Sequence, residues 1–446
     1  MSKGVVHPYN GQTLIFFLTL GISGGRMRAV VIGSGIGGLL TAGFLARKGY
    51  DVTVLEKAPY IGGRFTNLNY KGFGLSTGAF HMLPHGEDGP LAHLLKLLGA
   101  NVTIVNSNPK GMIFYEGKTF HYREGWKYLG WKEKARAMKL MADIKRNKLP
   151  TGEEAEMSGR GWIKEKIGDN EFTDLFIKSF LGWADSVLDV PAGELAREIK
   201  AALKWGGPGL VRGGCKALTD ELARIVVENG GKILTGKKAV EVDAEAKKVV
   251  TADNEEFPYD VLISNIGIKE TVELLGRENF DREYLRHVES LKPSEGIKYN
   301  VALKGESRIG NTVVFTLDTE RINGYNEPTA LSPELAPEGY TLIMLHHALQ
   351  SRNVKEEQKK GIDDIYRIFP NLDEEGEILL IQTYLDGNPV NRVASGQAVE
   401  DFPIQDIYIV GDAYKLPGGI EVEGIALGVM KTLERLGLGS FSEWYL

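Results

Sequence analysis

Gly33, Gly35 and Gly38 stand as G-x-G-x-x-G between an apolar run, "AVVI", and the helical pattern "LLTAGFLARKG". The first glycine permits a tight turn, the second lets the backbone approach a pyrophosphate, and the third lets helix pack on strand. The helix N-terminus then offers partial positive charge to phosphate oxygens. Glu56 ends the next apolar run, "DVTVLE", 18 residues beyond Gly38, where a carboxylate can accept both hydroxyls of an adenosine ribose. An acid at that place, rather than an arginine, argues against a 2′-phosphate. Arg64 follows two glycines in "IGGRF", and a planar guanidinium is a good bidentate partner for a diphosphate.

These residues work only if a strand, a turn, a helix and a second strand carry them. Residues 28–33 read as the strand, the helix runs to Gly49, and 51–56 is the second strand, one βαβ unit. Residues 85–205 are mostly helical in pattern. "KALTDELARIVVEN" is an amphipathic helix closed by Gly230 and Gly231, and the stretch from Ala239 to Gly267 alternates as a hairpin before a buried strand. Further strands are expected in "IKYNVALKG", "NTVVFTL", "YTLIMLHHAL" and "QDIYIVGD", and a helix after "GGIEVEG". The expected fold is α/β, a discontinuous Rossmann-like domain made of 27–84, 206–268 and 402–440. An α+β substrate domain of 85–205 and 269–401 is inserted in it, and 441–446 form a C-terminal tail.

The chain has 446 residues, 43% hydrophobic and 25% charged, with a formal net charge of −6. No basic cluster interleaved with aromatics suits a nucleic-acid groove, so no nucleic-acid partner is expected. The single cysteine, Cys215, excludes an internal disulfide and reads as a small buried hydrophobe, and the eight histidines show no metal-ligand spacing. Scarce Gln and Cys beside abundant Glu, Lys and Arg hint at a thermophile. "TLIFFLTLGI", residues 13–22, is about half as long as a bilayer-spanning helix. Lys3 before it and small residues after it suit a signal peptide, but Met27 directly before "RAVVIG" favours an over-extended gene start. Residues 1–26 are therefore expected to be a mis-annotated or disordered extension.

From Gly33 through "APYIGGRFTNLNYKGFGLSTGAFHML", the sequence resembles the flavin amine oxidase and phytoene desaturase superfamily. "GGCKAL" with "GGKILTGKKAVEV", and "IYIVGDAYKLPGGIEVEGIALG", resemble its second nucleotide segment and its C-terminal flavin motif. The resemblance implies non-covalent FAD held by Gly33, Gly35, Gly37, Gly38, Glu56, Lys57, Gly63, Arg64, Val240, Gly411, Asp412 and Val422. Val240 would use its backbone on the adenine, Asp412 would accept hydrogen bonds from the ribityl or pyrophosphate region, and the helix near Val422 would aim N–H groups at the flavin. The closest wording is that of phytoene desaturase-like proteins, "GPGLVRGG", "LISNIG" and "GGIEVEG". Two departures stand out: Ser76 replaces a usual aspartate, and Ala79-Phe80 replace a common proline.

The implied activity is an FAD-dependent oxidoreductase taking hydride from an apolar isoprenoid. Amine oxidases are an alternative, with Lys298 as the candidate for their flavin-side lysine, against the plainer reading of a strand lysine. Glu421, however, stands where their aromatic cage has a member. A second alternative is a prenyl-binding protein without catalysis, like the Rab GDP-dissociation inhibitors. Trp131, Ala135, Met138 and Ala142 share one stripe of a basic helix. They read either as a core stripe or as a contact with an anionic membrane, so a cytoplasmic protein with peripheral membrane contact is expected. One of His346 and His347 could face the substrate cavity, or both could be structural.

Overall fold

The computed structural model describes residues 26–78, 82–386, 397 and 401–446. Residues 1–25, with their apolar run, and Ala79-Phe80 lie outside the described residues. Short Val/Ile/Leu runs buried on both faces are what a parallel strand covered by helices requires. Four such strands and a more exposed edge strand, Lys232–Thr235, form one parallel sheet in the order Ile407–Ile409, Val261–Ser264, Arg28–Ile32, Asp51–Glu56, Lys232–Thr235. Val31 lies opposite both Ile263 and Val54, and Val54 opposite Ile233. Chain segments more than three hundred residues apart therefore share one sheet.

The Ile36–Arg47 helix is buried at every position from Ile36 to Ala46. Apolar on all sides, it fits only a place covered all round. The sheet lies on one side of it, and the Gly214–Glu228 and Glu421–Arg435 helices on the others. On the opposite face of the sheet, Val30, Ile32 and Leu262 pack with Ile268, Val272 and Leu275. The expected hairpin is a three-stranded meander, Ala239–Asp243, Lys248–Thr251 and Glu256–Pro258.

In a second sheet of seven strands, Gly296–Lys304 lies next to one edge, paired antiparallel with Tyr340–Ala348 and with the edge strand Gly376–Tyr384. Its far edge is Met112–Tyr115 and Lys118–His121, two strands from a region whose pattern reads as mostly helical. Both are only four residues long, too short for period-2 alternation to stand out. The remainder of 131–205 is helical, over Trp131–Lys145, Gly159–Ile167, Glu171–Ala184 and Ala192–Trp205.

The Trp131–Lys145 helix corrects the core-stripe reading. It buries Ala137 and Ile144, whereas Trp131 and Met138 are 76% and 59% exposed. Residues 441–446, expected as a tail, are packed: Trp444 stacks on His93 and on Trp205 at ring distances of 4.4 and 6.0 Å, and Tyr445 bonds Glu434. No helix among the described residues is long and apolar enough to cross a membrane.

Candidate active site

In an open α/β sheet, ligands gather beyond the carboxyl ends of the strands where the strand order reverses. Here Arg28–Ile32 lies between Asp51–Glu56 and Val261–Ser264, so the reversal falls at its end. Gly33, Glu56, Asn265 and Gly411 each follow or close one of these strands, and all line one cavity of about 980 Å³. Gly35, Gly37, Lys57, Gly63, Arg64, Asp412 and Val422 line it as well.

The glycine loop is as tight as its spacing demands. A Cβ on Gly38 would fall well inside contact with the Gly33 carbonyl oxygen, so the helix lies directly on the turn. A Cβ on Gly37 would meet the Gly411 nitrogen at 2.9 Å, which brings the loop against the C-terminal motif. No side chain caps the start of the Ile36–Arg47 helix, nor that of the Glu421–Arg435 helix. Both helices therefore present unsatisfied N–H donors at the cavity, where anions are favoured. A narrow glycine cradle beneath a helix N-terminus is the shape a diphosphate needs, and the residues present fit FAD.

Glu56 is 6% exposed and already engaged. Its Oε2 accepts from Ser34 N and Ser34 Oγ at 2.9 and 2.7 Å, and Oε1 accepts from Ala58 N at 2.8 Å. A carboxylate offers about four acceptor positions, so it both fixes the glycine loop and retains room for a ribose hydroxyl. Arg64 and Asp412 face each other across the cavity in an ion pair of 2.6 Å. Val240 departs from expectation in detail. The wall is made by Lys237, Lys238 and Ala239, while the Val240 side chain is 45% exposed. Val240 falls at a register shift between Ala239 and Glu241, a bulge that leaves its backbone groups outside the ladder.

Lys298 corrects the lysine expectation. It is wholly buried and is not part of the cavity wall. Its Nζ donates to Ser76 O at 2.5 Å, Gly78 O at 2.6 Å and Ser76 Oγ at 2.9 Å. It thus clamps the turn whose Thr77 and Gly78 form part of the wall, a positioning role. Serine at 76 supplies no countercharge, and burial pushes the lysine down to about 7. His346 and His347 also lie outside the wall. The strand carrying them is covered on both faces, so alternation does not turn one outward; His347 contacts Tyr299 Oη at 3.2 Å and His346 contacts Ser186 Oγ at 3.3 Å. Cys215 is buried, its thiol pushed up to about 12 by desolvation.

Asn265 is the site residue that sequence reasoning misses. Its Nδ2 donates to Gly33 O at 3.4 Å, and its amide lies against Gly35, Gly37 and Gly411, joining two distant motifs. The available signal is its place, directly after the "LIS" strand and two residues before Gly267. Gln382 and Met82, from outside the glycine motifs, complete other parts of the wall. Glu421, at the start of its helix, holds φ +44°, a conformation a non-glycine residue keeps only where its surroundings impose it.

A family model described as an NAD(P)-binding Rossmann-like domain matches residues 31–98. An uncharacterized protein of Methanocaldococcus jannaschii is 41% identical over 91% of this chain and 98% of its own. A phytoene desaturase of Rhodobacter capsulatus is 26% identical over 58% of this chain and 56% of its own. Among solved structures, a Pyrococcus furiosus protein is 60% identical, covering 94% of this chain and 100% of its own, with a TM-score of 0.85. An oxidoreductase of Methanosarcina mazei is 40% identical over 92% of this chain and 100% of its own, with a TM-score of 0.84. Putrescine oxidase, at 14% identity and a TM-score of 0.72, shares the fold. With the cavity, the glycine cradle and these near-full-length relatives together, the chain belongs to one family with the M. jannaschii protein and the M. mazei oxidoreductase, and is an oxidoreductase similar to phytoene desaturases.

Proposed function

We propose that the protein holds FAD non-covalently in the 980 Å³ cavity and oxidises an apolar, isoprenoid-type substrate. The observation that carries this reading is the convergence of the glycine loop, Arg64, Asp412 and the start of the Glu421–Arg435 helix on one cavity. Bound FAD would supply a two-electron acceptor for a hydride leaving an activated C–H bond.

The chain's own residues would do the positioning. The glycine loop and the Ile36–Arg47 N-terminus would receive the diphosphate, with Arg64 turning its guanidinium from Asp412 towards a phosphate. The Glu421–Arg435 N-terminus would stabilise negative charge developing beside it. Lys298 would keep the Thr77–Gly78 wall in place. Ile266, Leu274 and Met82 give part of the cavity an apolar lining that supports exclusion of water and a hydrocarbon substrate. The name of the R. capsulatus relative supports the same substrate class.

Exposed Trp131, Met138 and Met141 beside Lys132, Arg136 and Lys139 support peripheral contact with an anionic lipid surface, the source of an apolar substrate. The test is anaerobic mixing of the flavoprotein with a polyprenoid series and an amine series, followed by flavin bleaching. Bleaching by isoprenoids, strengthening with chain length, is expected, since each buried methylene contributes about 0.8 kcal/mol. Rapid bleaching by simple amines alone would replace the isoprenoid reading with amine oxidation.

A further inference from the structure

We propose that a small chamber beside the cofactor cavity receives the hydroxyl-bearing end of an otherwise apolar substrate, and that His85 Nε2 accepts the hydrogen bond of that hydroxyl. The inference rests on the reading above and narrows its substrate class.

The chamber has a volume of about 100 Å³ and shares Met82 and Glu421 with the wall of the larger cavity. Met82, Trp183, Val313 and Phe315 pack as one apolar cluster around it, and the Phe180 ring lies 6.2 Å from that of Phe315. A dry apolar cavity of 150 Å³ admits benzene, so this one suits the last few heavy atoms of a chain. His85, 2% exposed, is among the residues that line it.

The histidine is held firmly and only half used. Its Nδ1 lies 3.1 Å from Gly206 O, and a carbonyl oxygen only accepts, so the ring proton is on Nδ1 and Nε2 carries a lone pair. Nε2 is buried and has no partner among the described residues. The ring packs on Trp205 at 5.3 Å, and buried Glu423 accepts from Leu91 N at 2.8 Å. A buried acceptor without a donor is unfavourable, and a ligand that supplies one relieves the cost. Desolvation pushes the imidazole down to about 4, so near pH 7 the ring accepts and has no second proton to donate. An alcohol complements it. A carboxylate, which only accepts, places lone pair against lone pair.

The experiment uses FAD-loaded protein and three probes of one skeleton: a linear prenyl alcohol, the hydrocarbon lacking its hydroxyl, and the matching carboxylic acid. Dissociation constants come from flavin absorbance changes, and kcat and KM from anaerobic reduction. His85→Phe should weaken alcohol binding about tenfold and leave the hydrocarbon within about twofold, with His85→Gln, whose amide also accepts, recovering part of the loss. Ala184→Leu, which fills the chamber without touching the bonds of His85, should instead weaken the alcohol and the hydrocarbon together while FAD content stays at the native value. Equal weakening of alcohol and hydrocarbon by His85→Phe, no effect of either variant, or an acid binding as tightly as the alcohol at pH 7.5 would each overturn the assignment, leaving Nε2 a water acceptor. If none of the three probes perturbs or reduces the native flavoprotein, the isoprenoid reading itself falls, and this inference with it.

Discussion

Asn265 and Lys298 hold the cavity together without belonging to any glycine motif. Asn265 bridges the first and last nucleotide-type segments through one amide, so Asn265→Leu, similar in size but unable to hydrogen-bond, should raise the FAD dissociation constant about tenfold. Fluorescence titration of the apoprotein checks this; an unchanged constant would show that the glycines alone set the geometry. Lys298 makes a prediction about pH. Its folded-state value of about 7 lies below the model-peptide value of 10.5, so the unfolded chain binds more protons between the two, and stability rises with pH across that window. Lys298→Met should remove ~2–3 kcal/mol of the rise between pH 7.5 and 9.5, measured by urea unfolding. Equal slopes in the two proteins would mean that the ammonium is solvated. Gly33, Gly35, Gly38, Glu56 and Arg64 were legible because their spacing and chemistry point to one ligand. Asn265 was not, because a lone asparagine after a strand looks like any turn residue.

Among the elements, strands buried on both faces were the easiest to read, since Val31, Val54 and Ile263 sit in runs that leave no polar face. The Trp131–Lys145 helix shows where periodicity stops. Its spacing gives a helix, but two apolar stripes compete, and only the neighbouring helices decide that Ala137 and Ile144 turn inward. The Trp131 and Met138 stripe is left outside among Lys132, Arg136 and Lys139. Trp131→Glu with Met138→Glu should therefore cut co-sedimentation with anionic phospholipid vesicles several-fold while the melting temperature stays within about 2 °C, because both side chains are exposed. Neutral vesicles should retain little of either protein. Vesicle binding that survives the double substitution would move the contact to another face.

For the whole molecule, chain order concealed what the sheet reveals. Strands drawn from residues 28–56, 232–264 and 407–409 lie side by side in one parallel sheet, and only the order of the motifs, not any local pattern, foretold it. The small chamber at Phe180, Trp183 and His85 draws on segments scattered from residue 82 to 421, so no window of sequence could contain it. The claim on which the rest depends is that these pieces assemble a non-covalent FAD site. Its most direct test is the visible spectrum of the purified protein, followed by acid precipitation and chromatography of the supernatant. A flavin spectrum before precipitation, colour passing wholly into the supernatant, and one FAD per chain recovered there are the expected results. A colourless protein that neither carries nor takes up FAD, or a pellet that keeps the yellow colour, would contradict the account.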